Sequence, residues 1–179
     1  MSQQAIEYYT GAIKKTANEL KISNLLAAPR IVKIVINCGF GSDKGNKDVK
    51  EELIENITTI TGQKPILTTA KKSIASFKLR AGEEIGIKVT LRDKKMINFL
   101  YKLINLTLPS IRDFRGIALK SIDKSGNLTI GIKEQYVFPE LSLNRGDVSR
   151  GLEICITAKV NNNEANILYR SLGVPFKKE

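Results

Sequence analysis

Residues 85–92 read Ile-Gly-Ile-Lys-Val-Thr-Leu-Arg. Ile85, Ile87, Val89 and Leu91 alternate with Gly86, Lys88, Thr90 and Arg92. Successive side chains on a strand point to opposite faces, so the stretch predicts one apolar and one polar face. A strand of a doubly wound parallel sheet would be apolar on both. The alternation therefore predicts an antiparallel sheet with one face covered.

Other segments join it. In Ile31–Asn37, Val32, Ile34 and Ile36 are expected to face the core, and Lys33, Val35 and Asn37 the other side. Leu128–Ile132 and the alternating run Leu152, Ile154, Ile156, Ala158, Val160 read as strands, and Pro65–Thr68 as a short one. Residues 3–20 read as a helix through Ile6, Tyr9, Ile13, Ala17 and Leu20, spaced by three and four. Residues 46–61 form a second, with Val49, Leu53, Ile54, Ile57 and Ile60 on one stripe and Gly62 as its C-terminal cap. Asp93 is expected to cap a third helix, which Pro109 should stop at about Leu108. A last helix over 163–172 ends at Gly173. Residues 69–84 read as a long surface loop or hairpin tip, and 109–126 and 133–150 as irregular chain. The fold class is α+β: an antiparallel sheet with helices on one face, the other face open and basic, and a long basic loop. Residues 1–179 are expected to form a single domain.

Composition narrows the function. There are 29 Lys and Arg against 18 Asp and Glu, a net charge of +11. So basic a chain points to a polyanion, most often nucleic acid. No run of about 18 apolar residues predicts a membrane span, and no signal-peptide pattern is present. The chain has no histidine, which removes the usual general base and the common triads and metal sites. Cys38 and Cys155 lie in apolar runs and read as buried free thiols of a reducing compartment. No enzyme, metal or cofactor is indicated. Gly39–Gly45 lacks both the Walker ending and the third glycine of GxGxxG.

The charge is localised. Residues 64–120 hold 13 basic and 4 acidic side chains, so +9 of the +11 lies in the middle third. Lys88, Thr90 and Arg92 share one strand face, and Lys33 and Asn37 share another. In one sheet they would offer cations for phosphates and polar groups for sugars or base edges. That face has no aromatic residue, which opposes base stacking and favours reading the shape of folded RNA. The 69–84 loop adds Lys71, Lys72, Ser73, Lys78 and Arg80. Phe77 within it is either a local core anchor or an exposed stacking group. In Ser110–Gly116, Arg112 and Arg115 flank Asp113 and Phe114. This is either an ion-paired turn or an arginine contact for protein or RNA.

These residues stand in a recognisable order. Pro29-Arg30, Asn37 with Gly39 and Gly41, and Gly62-Gln63-Lys64-Pro65 come first. Lys72-Ser73, Phe77-Lys78, Arg80, Gly82 and Lys88–Arg92 follow. Ile111–Gly116, Glu134-Gln135, Phe138–Glu140, Arg150-Gly151 and Pro175-Phe176 complete the series. The sequence resembles the bacterial-type ribosomal protein L5 family of the large subunit over nearly its whole length. It departs at Cys38 and Phe40, and across residues 141–148. The resemblance implies a non-catalytic protein of the central protuberance, bound to 5S rRNA, 23S-type rRNA and neighbouring large-subunit proteins. It implies 5S contacts at Asn37, Gln63 and Thr90, with Lys33, Lys64, Lys88 and Arg92 beside them. It implies that the loop carrying Lys71, Lys72, Ser73, Phe77, Lys78 and Arg80 reaches P-site tRNA. Arg112, Asp113, Phe114 and Arg115 would meet a small-subunit head protein in an intersubunit bridge. The location implied is the ribosome of a bacterial cytoplasm or of an organelle's stroma or matrix.

Overall fold

The computed structural model describes residues 2–41, 47–112, 114–141, 149–160 and 162–177. The alternating stretch is a strand, β3 (Glu84–Leu91), whose Ile87, Val89 and Leu91 are buried and whose Lys88 is exposed. Four others complete the sheet: β1 (Arg30–Gly39), β2 (Ile66–Thr69), β4 (Leu128–Ile132) and β5 (Leu152–Lys159). The order is β2-β3-β1-β5-β4, and each neighbouring pair is antiparallel. The α+β class expected from the alternation is the one observed.

Helices supply the rest of the core. They are α1 (Ser2–Glu19), α2 (Lys47–Thr61), α3 (Asp93–Lys102), α4 (Leu108–Ser110) and α5 (Asn162–Ser171). Ile34, Ile36, Val89, Leu91, Ile154 and Ile156 share one sheet face and are at most 2% exposed. They form one cluster with Ile13 and Ala17 of α1, Leu53 and Ile57 of α2, Phe99 and Leu100 of α3, and Leu168 and Tyr169 of α5. Gly62 does end α2, with φ of +66°. In that left-handed conformation a residue without Cβ meets no steric penalty.

Three expectations are corrected. Val32 does not face the core and is 45% exposed. The β1–β5 register shifts between Ile31 and Lys33, so Val32 is an extra residue without a partner. The bulge turns it outward and puts Ile31 inside with Ile34 and Ile36. Asp93 is not the cap of the third helix: the N-cap falls on Arg92, without a side-chain bond, and Asp93 opens the helix with φ of +50°. Pro109 does not stop the helix. Residues Leu103–Thr107 form a π turn, where Leu108 N–H bonds to the Leu103 carbonyl, and α4 carries the chain on to Ser110. The wider turn relieves the clash that a proline ring makes with the carbonyl four residues back.

One of the two thiols also departs from expectation. Cys38 is buried as predicted, whereas Cys155 is half-buried on the outward sheet face. Both are free. Burial pushes the Cys38 thiol up to about 11.

Candidate nucleic-acid interface

The sheet face away from the helices is built from the polar half of each alternation. Asn37 of β1 lies opposite Lys88 of β3, and Val35 opposite Thr90. Across β1 on its other side, Asn37 faces Glu153, Val35 faces Cys155 and Lys33 faces Thr157. Asn37 and Lys88 are exposed, and Lys33 and Thr90 half-buried. The strand alternation thus brings Lys33, Asn37, Lys88 and Thr90 onto one surface, as expected. The surface is not uniformly basic, because Glu153 sits beside Asn37. Its β5–β4 half otherwise presents small residues such as Thr129, Cys155 and Thr157.

Cations gather at one end. Arg92 follows β3 at the start of α3 and is exposed. The Gly62–Pro65 turn after α2 lies next to it. The Gln63 side-chain amide donates to the Thr90 carbonyl at 3.2 Å. The Lys95 ammonium donates to the Gly62 carbonyl at 2.8 Å. Thr61 braces the turn, its hydroxyl lying within hydrogen-bond distance of the Ile57 and Gln63 carbonyls at 2.6 and 3.0 Å, with one proton to donate between them. Lys64, Lys94 and Lys95 line this end of the sheet, and Lys94 and Lys95 are exposed. Lys94 and Lys95 are additions to the expected set. Their signal was the charge excess of residues 64–120; strand alternation could not reach them, because they stand on a helix.

Close backbone approach holds β3 in place. A Cβ at Gly86 would lie 2.8 Å from the Cys38 carbonyl oxygen and 3.1 Å from the Thr68 hydroxyl. Only glycine lets β1, β2 and β3 meet at that point.

The basic loop is an ordered hairpin between β2 and β3. Ile74 and Leu79 exchange backbone hydrogen bonds of 3.0 and 3.1 Å around the turn Ala75–Phe77. Lys78 takes the left-handed conformation, φ +49°, to close it. The Ser73 hydroxyl accepts from Ala81 N–H at 2.9 Å, and a Glu83 carboxylate oxygen accepts from Arg80 N–H at 3.0 Å. Phe77 is 68% exposed, so it is not a core anchor. Lys71, Lys72, Ser73 and Lys78 are exposed around it, and Arg80 is exposed as well.

The arginine segment lies at the opposite side of the sheet. Phe114 packs against the core, while Arg112 and Arg115 are exposed. Asp113 lies outside the described residues, as do residues 142–148 of the irregular stretch. Arg112 and Arg115 line a groove of about 760 Å³ along the edge strand β4, together with Lys133 and Tyr136. The expected set therefore falls in three places: the β1–β3 face with the Gly62–Pro65 turn, the hairpin, and the β4 edge.

Among the described residues no group of His, Cys, Asp or Glu could hold a metal ion, and no helix is long and apolar enough to cross a membrane.

Comparison with known proteins supplies a family. A sequence model described as "Ribosomal protein L5" matches residues 24–80, and a second model, of the same ribosomal family's C-terminus, matches residues 84–176. The two stretches interleave in one sheet, since β3, from the second, lies between β2 and β1, both from the first. A large ribosomal subunit protein uL5 of Halothermothrix orenii is 45% identical over 179 residues, covering 99% of this chain and 100% of its own. One of Synechococcus sp. is 48% identical over 171 residues, covering 94% and 96%. One of Desulfatibacillum aliphaticivorans is 46% identical over 179 residues, covering 99% and 100%. Identity of this order over the full length, together with both halves of the family pattern, means that the chain belongs to the ribosomal protein L5 family.

Proposed function

We propose that this protein binds 5S rRNA in the central protuberance through the β1–β3 face and the Gly62–Pro65 turn. Family membership makes it a structural, non-enzymatic constituent of the large ribosomal subunit. The observation that carries the finer reading is the convergence at Thr90. Lys88 precedes it on β3, Arg92 follows just beyond the strand's end, Val35 pairs with it, and Gln63 is bonded to its carbonyl. Lys33, Lys64, Lys88 and Arg92 supply phosphate contacts, and Asn37, Gln63 and Thr90 contacts to sugar or base. A face with few large side chains and no aromatic suits the flat, wide minor groove of helical RNA rather than splayed bases.

Two further contacts belong to the same proposal. The hairpin carrying Lys71, Lys72, Ser73, Phe77, Lys78 and Arg80 reaches P-site tRNA, with Phe77 exposed toward it for stacking. The segment Arg112–Arg115 meets a protein of the small-subunit head. Binding of 5S rRNA by the Lys88→Ala variant tests the central part. The salt dependence of log K should flatten by about one unit for one lost phosphate contact. An unchanged affinity and slope would remove Lys88 from the interface.

A further inference from the structure

The segment that presents Arg112 and Arg115 is tied down by the other end of the chain. Ile117 N–H donates to the Pro175 carbonyl at 2.8 Å, and Lys177 N–H donates to the Ile117 carbonyl at 2.9 Å. Ile117 and Phe176 thus pair as a short parallel bridge. Gly116 lies against this bridge. A Cβ there would fall 2.6 Å from Lys177 N and 2.7 Å from the Phe176 carbonyl carbon, and its φ is +89°. Both the contact and the conformation favour glycine over any other residue.

The tail is itself anchored before it arrives. The Tyr8 hydroxyl of α1 donates to the Leu172 carbonyl at 2.6 Å. Val174 N–H bonds to the Tyr169 carbonyl at 3.0 Å, and Gly173 turns the chain with φ of +76°. Phe176 packs on the core. The path from α1 and α5 to residue 117 is therefore fixed, while the exposed residues Arg112 and Arg115 lie only two to five positions before it.

We propose that residues Pro175–Lys177 act as a strap, with Gly116 as a positioning residue, that sets the arginines of the β4 groove for its protein partner. The inference rests on the proposed contact of Arg112–Arg115 with the small-subunit head. It assigns no RNA contact to the strap, so the strap should be separable from 5S binding.

The test uses large subunits carrying each variant as their only copy, titrated with small subunits. Arg112→Ala/Arg115→Ala is the reference and should weaken association about tenfold, the cost of losing interfacial arginines. Gly116→Ala, and separately a chain ending at Val174, should weaken it by a similar factor. In the isolated proteins Ile117 N–H should exchange faster with solvent, while the 5S rRNA Kd stays at the wild-type value. The truncation leaves the loop sequence intact and the substitution leaves the tail intact, so agreement between them points to the contact they share. Loss with the arginine variant but wild-type association for both others would overturn the strap. Association unchanged in the arginine variant would overturn the contact reading and the strap's purpose with it. Loss of 5S affinity in parallel with association would reduce Gly116 to a general stability role, and also overturn the proposal.

Discussion

Lys88 and Thr90 stand two residues apart on one strand face, yet they should fail in different ways. Lys88→Ala removes a charge that releases counterions, so its cost should shrink as salt rises. Thr90→Val keeps shape and removes a hydroxyl. Its cost should be nearly independent of salt, checked by repeating the 5S titration at two ionic strengths. Gly86 answers to packing rather than charge. Its Cβ would press on the Cys38 carbonyl, a backbone atom that cannot swing aside. Gly86→Ala should lose about 1–3 kcal/mol of stability, measured by denaturant unfolding. Cys38 carries a pH signature. Its thiol titrates at about 11 in the folded protein against 9.0 ordinarily, because burial disfavours the thiolate. A raised acid pKa means the contribution is complete below the unfolded value and is lost as pH rises through the folded one. The stability difference between wild type and Cys38→Ala should therefore shrink between pH 9 and 11, where the pKa values lie. A difference that stays constant over that window would contradict the assignment.

Elements behave as units where backbone bonds hold them. The β2–β3 hairpin keeps its turn with hydrogen bonds at Ile74–Leu79 and Ala81–Ser73, while its apolar tip stays in solvent. Phe77→Ala should leave stability within about 0.5 kcal/mol, as for exposed positions generally, and should weaken the proposed contact with P-site tRNA in large subunits that carry it. Loss of stability well beyond that would mean that Phe77 anchors the hairpin. The strands were legible because alternation is a local signal, and Lys88, Thr90 and Arg92 were legible with them. Val32 was not, since the bulge is created by pairing with β5, whose residues are over 100 positions away in sequence. Pro109 misled because a π turn upstream is a property of helix packing and leaves no mark in the residue types. The bond from Gln63 to Thr90, 27 residues apart, was equally invisible to pattern, and so was the strap between residues 117 and 175–177.

At the scale of the molecule, the sheet sorts the surface by its edges. The hairpin grows from the β2–β3 side, the arginine segment flanks β4, and the proposed RNA face centres on β1 and β3. The net charge of +11 is consistent with a polyanion partner but does not choose one. Of that charge +9 lies in residues 64–120, and the fold divides most of those cations among the β3 face, the hairpin, the Gly62–Pro65 turn, the start of α3 and the β4 edge. Under the proposed function, specific binding therefore comes from geometry at the β1–β3 face, above a salt-sensitive background. The most direct measurement is a competition titration of the full chain against 5S rRNA and an unrelated RNA of equal length, at two salt concentrations. The account predicts a preference for 5S rRNA that persists as salt rises, and that falls toward parity in the Lys88→Ala/Arg92→Ala variant. Equal affinity of the unaltered protein for the two RNAs would contradict it.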